Sequence, residues 1–184
     1  MRRLRQWWAR RVSHSDDPAW RLYREVAVAA VAPARLAKFD MSNEPEDKYE
    51  CLALHLAAVW HRLDQGDDAL RRMRRHVTSA FVADMDASLR DMGAGDLGVG
   101  KRVKALTERL YGRLAAYAPA LEEGADAETV EAALLRNMYK DSADPSAEQL
   151  ATAREAVTDL ATAWRALPDS ALLAGKFIQI ESER

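Results

Sequence analysis

The sequence predicts an all-α protein: a single compact domain of about six to seven helices, preceded by a short basic, tryptophan-bearing segment. Three observations predict it. Apolar residues recur at steps of three and four along the chain, glycine and proline fall between these periodic stretches, and no apolar–polar alternation lasts long enough for a strand. The 184 residues suffice for one sizeable core, and 48% apolar with 30% charged residues is the balance of an ordinary soluble globular chain. The organisation expected is a distinct segment over residues 1–15 and a helical domain over 16–184.

Within Met1 to Val12, Leu4, Trp7 and Trp8 share one helical face, ringed by Arg2, Arg3, Arg5, Arg10 and Arg11 with no acid. Tryptophan favours the membrane–water interface, and each basic residue near an anionic leaflet contributes on the order of 1 kcal/mol. Arg2, Arg3, Trp7 and Trp8 are therefore candidate contacts for a weak, reversible hold on an anionic membrane surface. A packed or disordered N-terminal helix fits the same pattern, as does an Arg-rich, acid-poor organellar targeting peptide. The polar run Ser13 to Asp17 follows where an export signal would need its apolar stretch, so no export signal is expected.

Asp17 is placed to cap a second helix with Pro18 at its first position and Trp20, Tyr23, Ala27 and Ala30 on one face. Pro33 should disturb it, and Asn43-Glu44-Pro45 marks a loop. A third helix should run from Glu46 to Gln65 with a stripe of Tyr49, Leu52, Leu56, Val59 and Leu63, ended by Gly66 in a left-handed conformation. Asp67 or Asp68 should cap a fourth helix carrying Leu70, Met73, Val77, Phe81 and Met85 and ending near Asp91. After the glycine-rich break Gly93 to Gly98, a fifth helix shows the cleanest periodicity: Val99, Val103, Leu106, Leu110, Leu114 and Tyr117. Pro119 and Gly124 punctuate the next connection, and a helix over Ala127 to Tyr139 turns Val130, Leu134 and Met138 inward. Asp144-Pro145 should open a last long helix with Leu150, Val157, Leu160, Trp164 and Leu167 on one side, stopped by Pro168. Leu172 to Ile180 fits either a short helix or an extended tail.

Bulk properties narrow the function classes. A net charge of −2 argues against a general polyanion binder, and no DNA partner is expected. The single cysteine, Cys51, excludes an intrachain disulfide and sits in a helical pattern as a small core or boundary residue. No run reaches the ~18–20 apolar residues of a membrane-spanning helix.

Several motifs bear chemistry on paper. Gly93 to Gly98 matches G-x-G-x-x-G, but dinucleotide binding needs a β-strand before the loop, whereas Phe81 to Asp91 reads as helix and Asp96 would repel a phosphate. A tight inter-helix turn with glycines at positive φ is the better reading. His55 and His61 lie about 120° apart on a helix, which suits no shared metal, and the four histidines are expected at surface or boundary. Asp84, Asp86, Asp91 and Asp96 could hold a hard cation or do acid–base work, but the EF-hand pattern is absent; pairing with Arg90, Lys101, Arg102 or Lys104, or a partner surface, explains them better. Arg71, Arg72, Arg74 and Arg75 point in different directions around a helix, as on a solvated face; contact with RNA, a ribosome or lipid phosphate is the alternative. No cofactor is expected.

The stretch Asp84 to Tyr117 resembles the signature region of the ubiquinol–cytochrome c chaperone family. The matching residues are Asp84-Met85-Asp86, Leu89 to Leu97, Val99, Lys101-Arg102-Val103-Lys104, Tyr111-Gly112-Arg113 and Ala116-Tyr117. Tyr49-Glu50, Leu54-His55 and Arg62-Leu63 are similar to the helix before it, so the pairing spans roughly Tyr23 to Leu121, with the C-terminal third alike only in being helical. Asn43 to Glu50 departs from the family, where a Val-Pro-Asp-Thr-like loop and Gly-Arg-Phe-Glu would be expected.

The resemblance implies a non-enzymatic assembly chaperone that binds newly made cytochrome b until the bc1 complex can form. It would act on the cytoplasmic side of a bacterial inner membrane, or on the matrix side in a mitochondrion, with the ribosome as a further partner; the anionic membrane surface is a partner expected from the N-terminal segment. The client surface would combine the apolar Met85, Met92, Leu97 and Tyr111 with the charged Asp84, Asp86, Arg90, Asp96, Lys101, Lys104 and Arg113. Two other readings stand beside it: a membrane-peripheral scaffold or ribosome-binding adaptor, and a helical metal enzyme using the aspartates.

Overall fold

The computed structural model describes residues 17–93, 95–140 and 145–176, and these are helical throughout with no strand among them. The N-terminal segment with Arg2, Arg3, Trp7 and Trp8 lies outside the described residues, as do Asp144 and the tail beyond Lys176. The helices are α1 (Pro18–Ala30), α2 (Pro33–Lys38), α3 (Pro45–Asp64), α4 (Asp68–Asp91), α5 (Asp96–Tyr117), a 3-10 turn (Ala118–Leu121), α6 (Ala127–Asn137), α7 (Ala147–Ala166) and α8 (Asp169–Leu173).

Local chemistry sets most boundaries. Asp17 accepts from the Ala19 amide at 2.8 Å, with Pro18 opening α1. Asp67 accepts from the amides of Ala69 and Leu70 and opens α4. Pro33 does not merely disturb α1; it starts α2, because a proline at the first helical position gives up an amide that has no partner there anyway. For the same reason Pro45 is the first residue of α3 and not part of a loop. Helix α7 begins later than Asp144-Pro145 suggests. Ser146 and Gln149 form a reciprocal capping box, which satisfies two amides at once. Gly66 is not left-handed; a Cβ there would fall 2.1 Å from Leu70 Cδ1, so close packing of the following turn keeps it glycine.

Helix α3 is the central element, buried on every face from Tyr49 to Trp60 and packed against α1, α2, α4, α5, α7 and the 3-10 turn. A helix apolar all round is a core helix. The stripes expected on α4 and α6 are buried, as are Val157, Leu160, Trp164 and Leu167 of α7. Helix α8 closes the bundle beneath α1 and α4. The turn after it uses Gly175 at φ 66, where a Cβ would meet the Pro18 carbonyl at 2.2 Å, tying the end of the described chain to its beginning. Long-range hydrogen bonds stitch the helices: Tyr139 OH to Phe39 O at 2.9 Å, Arg62 to Leu167 O at 2.8 Å and Arg165 to Leu121 O at 3.0 Å.

Candidate functional site

Helices α4 and α5 form an antiparallel hairpin whose bend is the glycine-rich stretch. Among the described residues of the bend only Gly93 takes a left-handed conformation (φ 86); Gly95 is the extended N-cap of α5, and Gly98 and Gly100 are helical. Helix α5 therefore starts at Asp96, earlier than the apolar rhythm suggests, and its first bonds run from the Gly98 and Val99 amides to Gly95 O. A helix precedes the bend where a nucleotide-binding loop would need a strand. The tip has its own small core of Leu89, Val99 and Val103, joined to the main core by Val82 and Leu106, which pack against both.

The residues proposed from the sequence divide sharply here. Asp86, Arg90, Met92, Lys101 and Lys104 lie on the hairpin surface, with Met92 68% exposed and Asp86 paired to Arg90 at 2.7 Å. Asp96 opens α5, but its side chain and that of Leu97 lie outside what is described. Asp84 and Met85 are buried instead. Asp84 accepts a 2.7 Å hydrogen bond from Tyr23 OH and so holds α1 on α4. Burial, reinforced by Asp84, raises the Tyr23 hydroxyl well above its ordinary pKa. Tyr111 is half exposed and meets the Trp60 ring edge-on at 5.2 Å, while the Arg74 guanidinium lies 5.3 Å from the Trp60 ring centre.

Arg113 is committed within the chain. Glu50, 3% exposed, accepts from its Nε and terminal nitrogen at 2.7 and 2.8 Å, and also from Arg109, which reaches Glu46 as well. Arg109 stacks over the Tyr49 ring at 4.5 Å, and Tyr49 OH donates to Leu106 O at 2.7 Å. The Glu50 hydrogen bond holds the Arg113 pKa above its ordinary value, and the Arg109 bond lowers that of Glu46. This ionic lock between α3 and α5 was not readable from the sequence, because its partners lie some sixty positions apart. The resemblance did single out Tyr49-Glu50 and Arg113.

Cys51 and His55 occupy adjacent turns of α3, but burial pushes the thiol pKa up to about 12 and that of His55 down to about 4. His55 is buried in the core, not at the surface as expected, and Nδ1 donates to Cys51 O at 2.8 Å. Among the described residues no group of three or more His, Cys, Asp or Glu could hold a metal ion. No described helix is long and apolar enough to cross a membrane. Arg71 pairs with Asp68 and Arg74 with Asp64, while Arg72, Arg75 and His76 are exposed, so the arginine run is a solvated face.

Between α4 and α5, beside the tip, an open groove of about 540 Å³ is lined by Thr78, Ser79, Val82, Ala83, Asp86, Gly100 and Val103. The molecule is thus an all-helical domain that presents a helical hairpin with an open groove along it. It belongs to the ubiquinol-cytochrome C chaperone family, whose sequence model matches residues 37–180. That match takes in the C-terminal third, beyond the Tyr23 to Leu121 span of the sequence resemblance. The chain is also similar to the Cbp3 homolog from Brucella abortus, known from a crystal structure. The two are 30% identical with a TM-score of 0.74, over 97% of this chain and 98% of the other. No curated protein matches the chain.

Proposed function

We propose that this protein is an assembly chaperone that binds newly synthesised cytochrome b and holds it for the ubiquinol–cytochrome c reductase complex, without enzymatic activity of its own. The client face is the hairpin around the glycine bend, with Asp86, Arg90, Met92, Asp96, Leu97, Lys101 and Lys104 near the tip and Tyr111 further along α5. Family membership supports the role. The observation that carries the site is the tip itself: a helical hairpin with its own three-residue core that leaves Met92 68% exposed and Lys101 with no acid partner among the described residues. A flexible methionine among charges suits a client offering apolar helices and charged loops. The protein would work at the inner-membrane periphery, with Arg2, Arg3, Trp7 and Trp8 as the membrane contact. Deleting residues 1–12 should then reduce binding to anionic liposomes, and an unchanged pull-down would remove that contact.

The direct test is a deletion strain assayed for bc1 complex, with cytochrome b co-purification from the tagged parent. Loss of the complex and recovery of cytochrome b are expected. Combined charge reversal, Asp86→Lys with Lys101→Glu, should reduce that recovery without lowering Tm. Normal bc1 levels together with no recovered cytochrome b would overturn the reading.

A further inference from the structure

We infer that the groove between α4 and α5 seats an apolar helix bearing an acidic flank. This rests on the chaperone reading and specifies which part of a client the protein takes. The floor is Val82 and Val103. The threonine hydroxyls along it make no demand on an occupant, since Thr78 donates to Arg74 O at 2.9 Å and Thr107 to Val103 O at 2.8 Å. The α4 wall is Thr78, Ser79, Val82, Ala83 and Asp86, at i, i+4 and i, i+3 spacing, and Gly100 and Val103 face it from α5. From Thr78 to Asp86 this wall runs about 12 Å, the length of roughly two turns of a docked helix.

The groove and the surface beyond it are shaped for an occupant. At one end Gly100 is helical, and a Cβ added there would meet nothing. A glycine inside a helix costs about 1 kcal/mol relative to alanine, yet the fold itself does not need one here. It does allow another backbone to come close. Further along the two helices, outside the groove's lining, Trp60, flanked by Arg74, supports the half-exposed ring of Tyr111 as an aromatic anchor. The rim decides the charge. Asp86 is tied to Arg90 and Glu108 to Lys104. Arg72, Arg75 and Lys101 stand exposed with no acid partner among the described residues. On the two helices that form the groove, these exposed charges without an acid partner are cations, which complement an acidic flank. A flat lipid surface would meet the ridges of the two helices and leave the trough unused.

The test uses the full-length protein and two fluorescent synthetic helices sharing an apolar stretch of about 12 residues, one with an acidic tail and one with a lysine tail. Fluorescence anisotropy should give the acidic-tailed helix about tenfold tighter binding at low salt, with the gap narrowing as salt rises. Gly100→Leu fills the trough and should weaken both at least about tenfold while Tm holds or rises. If that variant melts lower, Ala83→Leu, on the exposed wall opposite, decides instead. Equal binding by parent and filled variant, no preference for the acidic tail, or binding to anionic vesicles alone would each overturn the inference. Cytochrome b recovery in cells separates the two ideas. Undiminished recovery with the filled variant overturns the groove and leaves the chaperone role standing, whereas no recovery with the parent overturns the role itself.

Discussion

Replacing Glu50 with glutamine keeps the shape of the α3–α5 lock and removes its negative charge. The Glu50 side chain is 4% exposed and faces two guanidinium groups, those of Arg113 (14% exposed) and Arg109 (24%). Removing one partner of a buried ion pair typically costs about 3–5 kcal/mol, because the other charge is left uncompensated. Here Arg109 keeps Glu46 and both arginines retain some access to water, which places the loss near the lower end, about 3 kcal/mol. For a chain of this size each kcal/mol lowers Tm by roughly 2–4 °C, so Glu50→Gln should melt about 6–12 °C below the parent by circular dichroism. Leucine at positions 50, 109 and 113 together should recover much of that loss, since a well-packed apolar replacement needs no compensating charge. A Glu50→Gln protein melting within about 2 °C of the parent would refute the lock. The result bears on function too. Arg113→Ala should weaken client capture only together with stability, unlike charge reversal at Lys101.

His55 gives a pH signature. Burial depresses its pKa to about 4, so the folded state resists the proton that the unfolded chain accepts near 6.5. The stability it contributes is present above about pH 6.5 and is lost as pH falls toward 4, roughly 3 kcal/mol in all. Urea midpoints of His55→Phe should fall less steeply over this range than those of the parent, and parallel curves would contradict the assignment. Tyr23→Phe leaves the buried Asp84 short of a donor and should cost about 1–3 kcal/mol. A double-mutant cycle with Asp84→Asn should show coupling, and additive effects would argue against the bond. At the bend, Gly93→Ala should destabilise by about 1 kcal/mol because of its left-handed backbone, whereas Gly98→Ala should stabilise by up to about 1 kcal/mol. Thermal melts that fail to separate the two would count against this geometry.

Local signals in the sequence carried the fold well where they were strong. The Asp17-Pro18 and Asp67 caps, the α4 stripe and the α5 rhythm each arise from a few neighbouring residues, and each lies where those residues put it. What depends on distant partners did not show. Helix α3 reads as a single stripe, yet it is buried on all faces; the run Leu52 to Trp60, apolar but for His55, was the available signal. Asp84 looks like its neighbour Asp86 in sequence, but lies on the face of α4 that meets Tyr23. Arg113 looks like a free cation until Glu50 is brought beside it. For the candidate site, the resemblance pointed to the α4–α5 hairpin, and residue type alone did not separate the hairpin's surface from its supports. The groove was not anticipated, because it arises from two rows on different helices.

The most direct measurement places a photo-reactive residue at one of three exposed positions, Ala83 beside the groove, Lys101 near the tip and Glu155 on α7, in a strain making labelled cytochrome b. Crosslinks to cytochrome b from positions 83 and 101 and none from 155 are predicted. Crosslinks from 155 with silence at the hairpin would contradict the proposed client face.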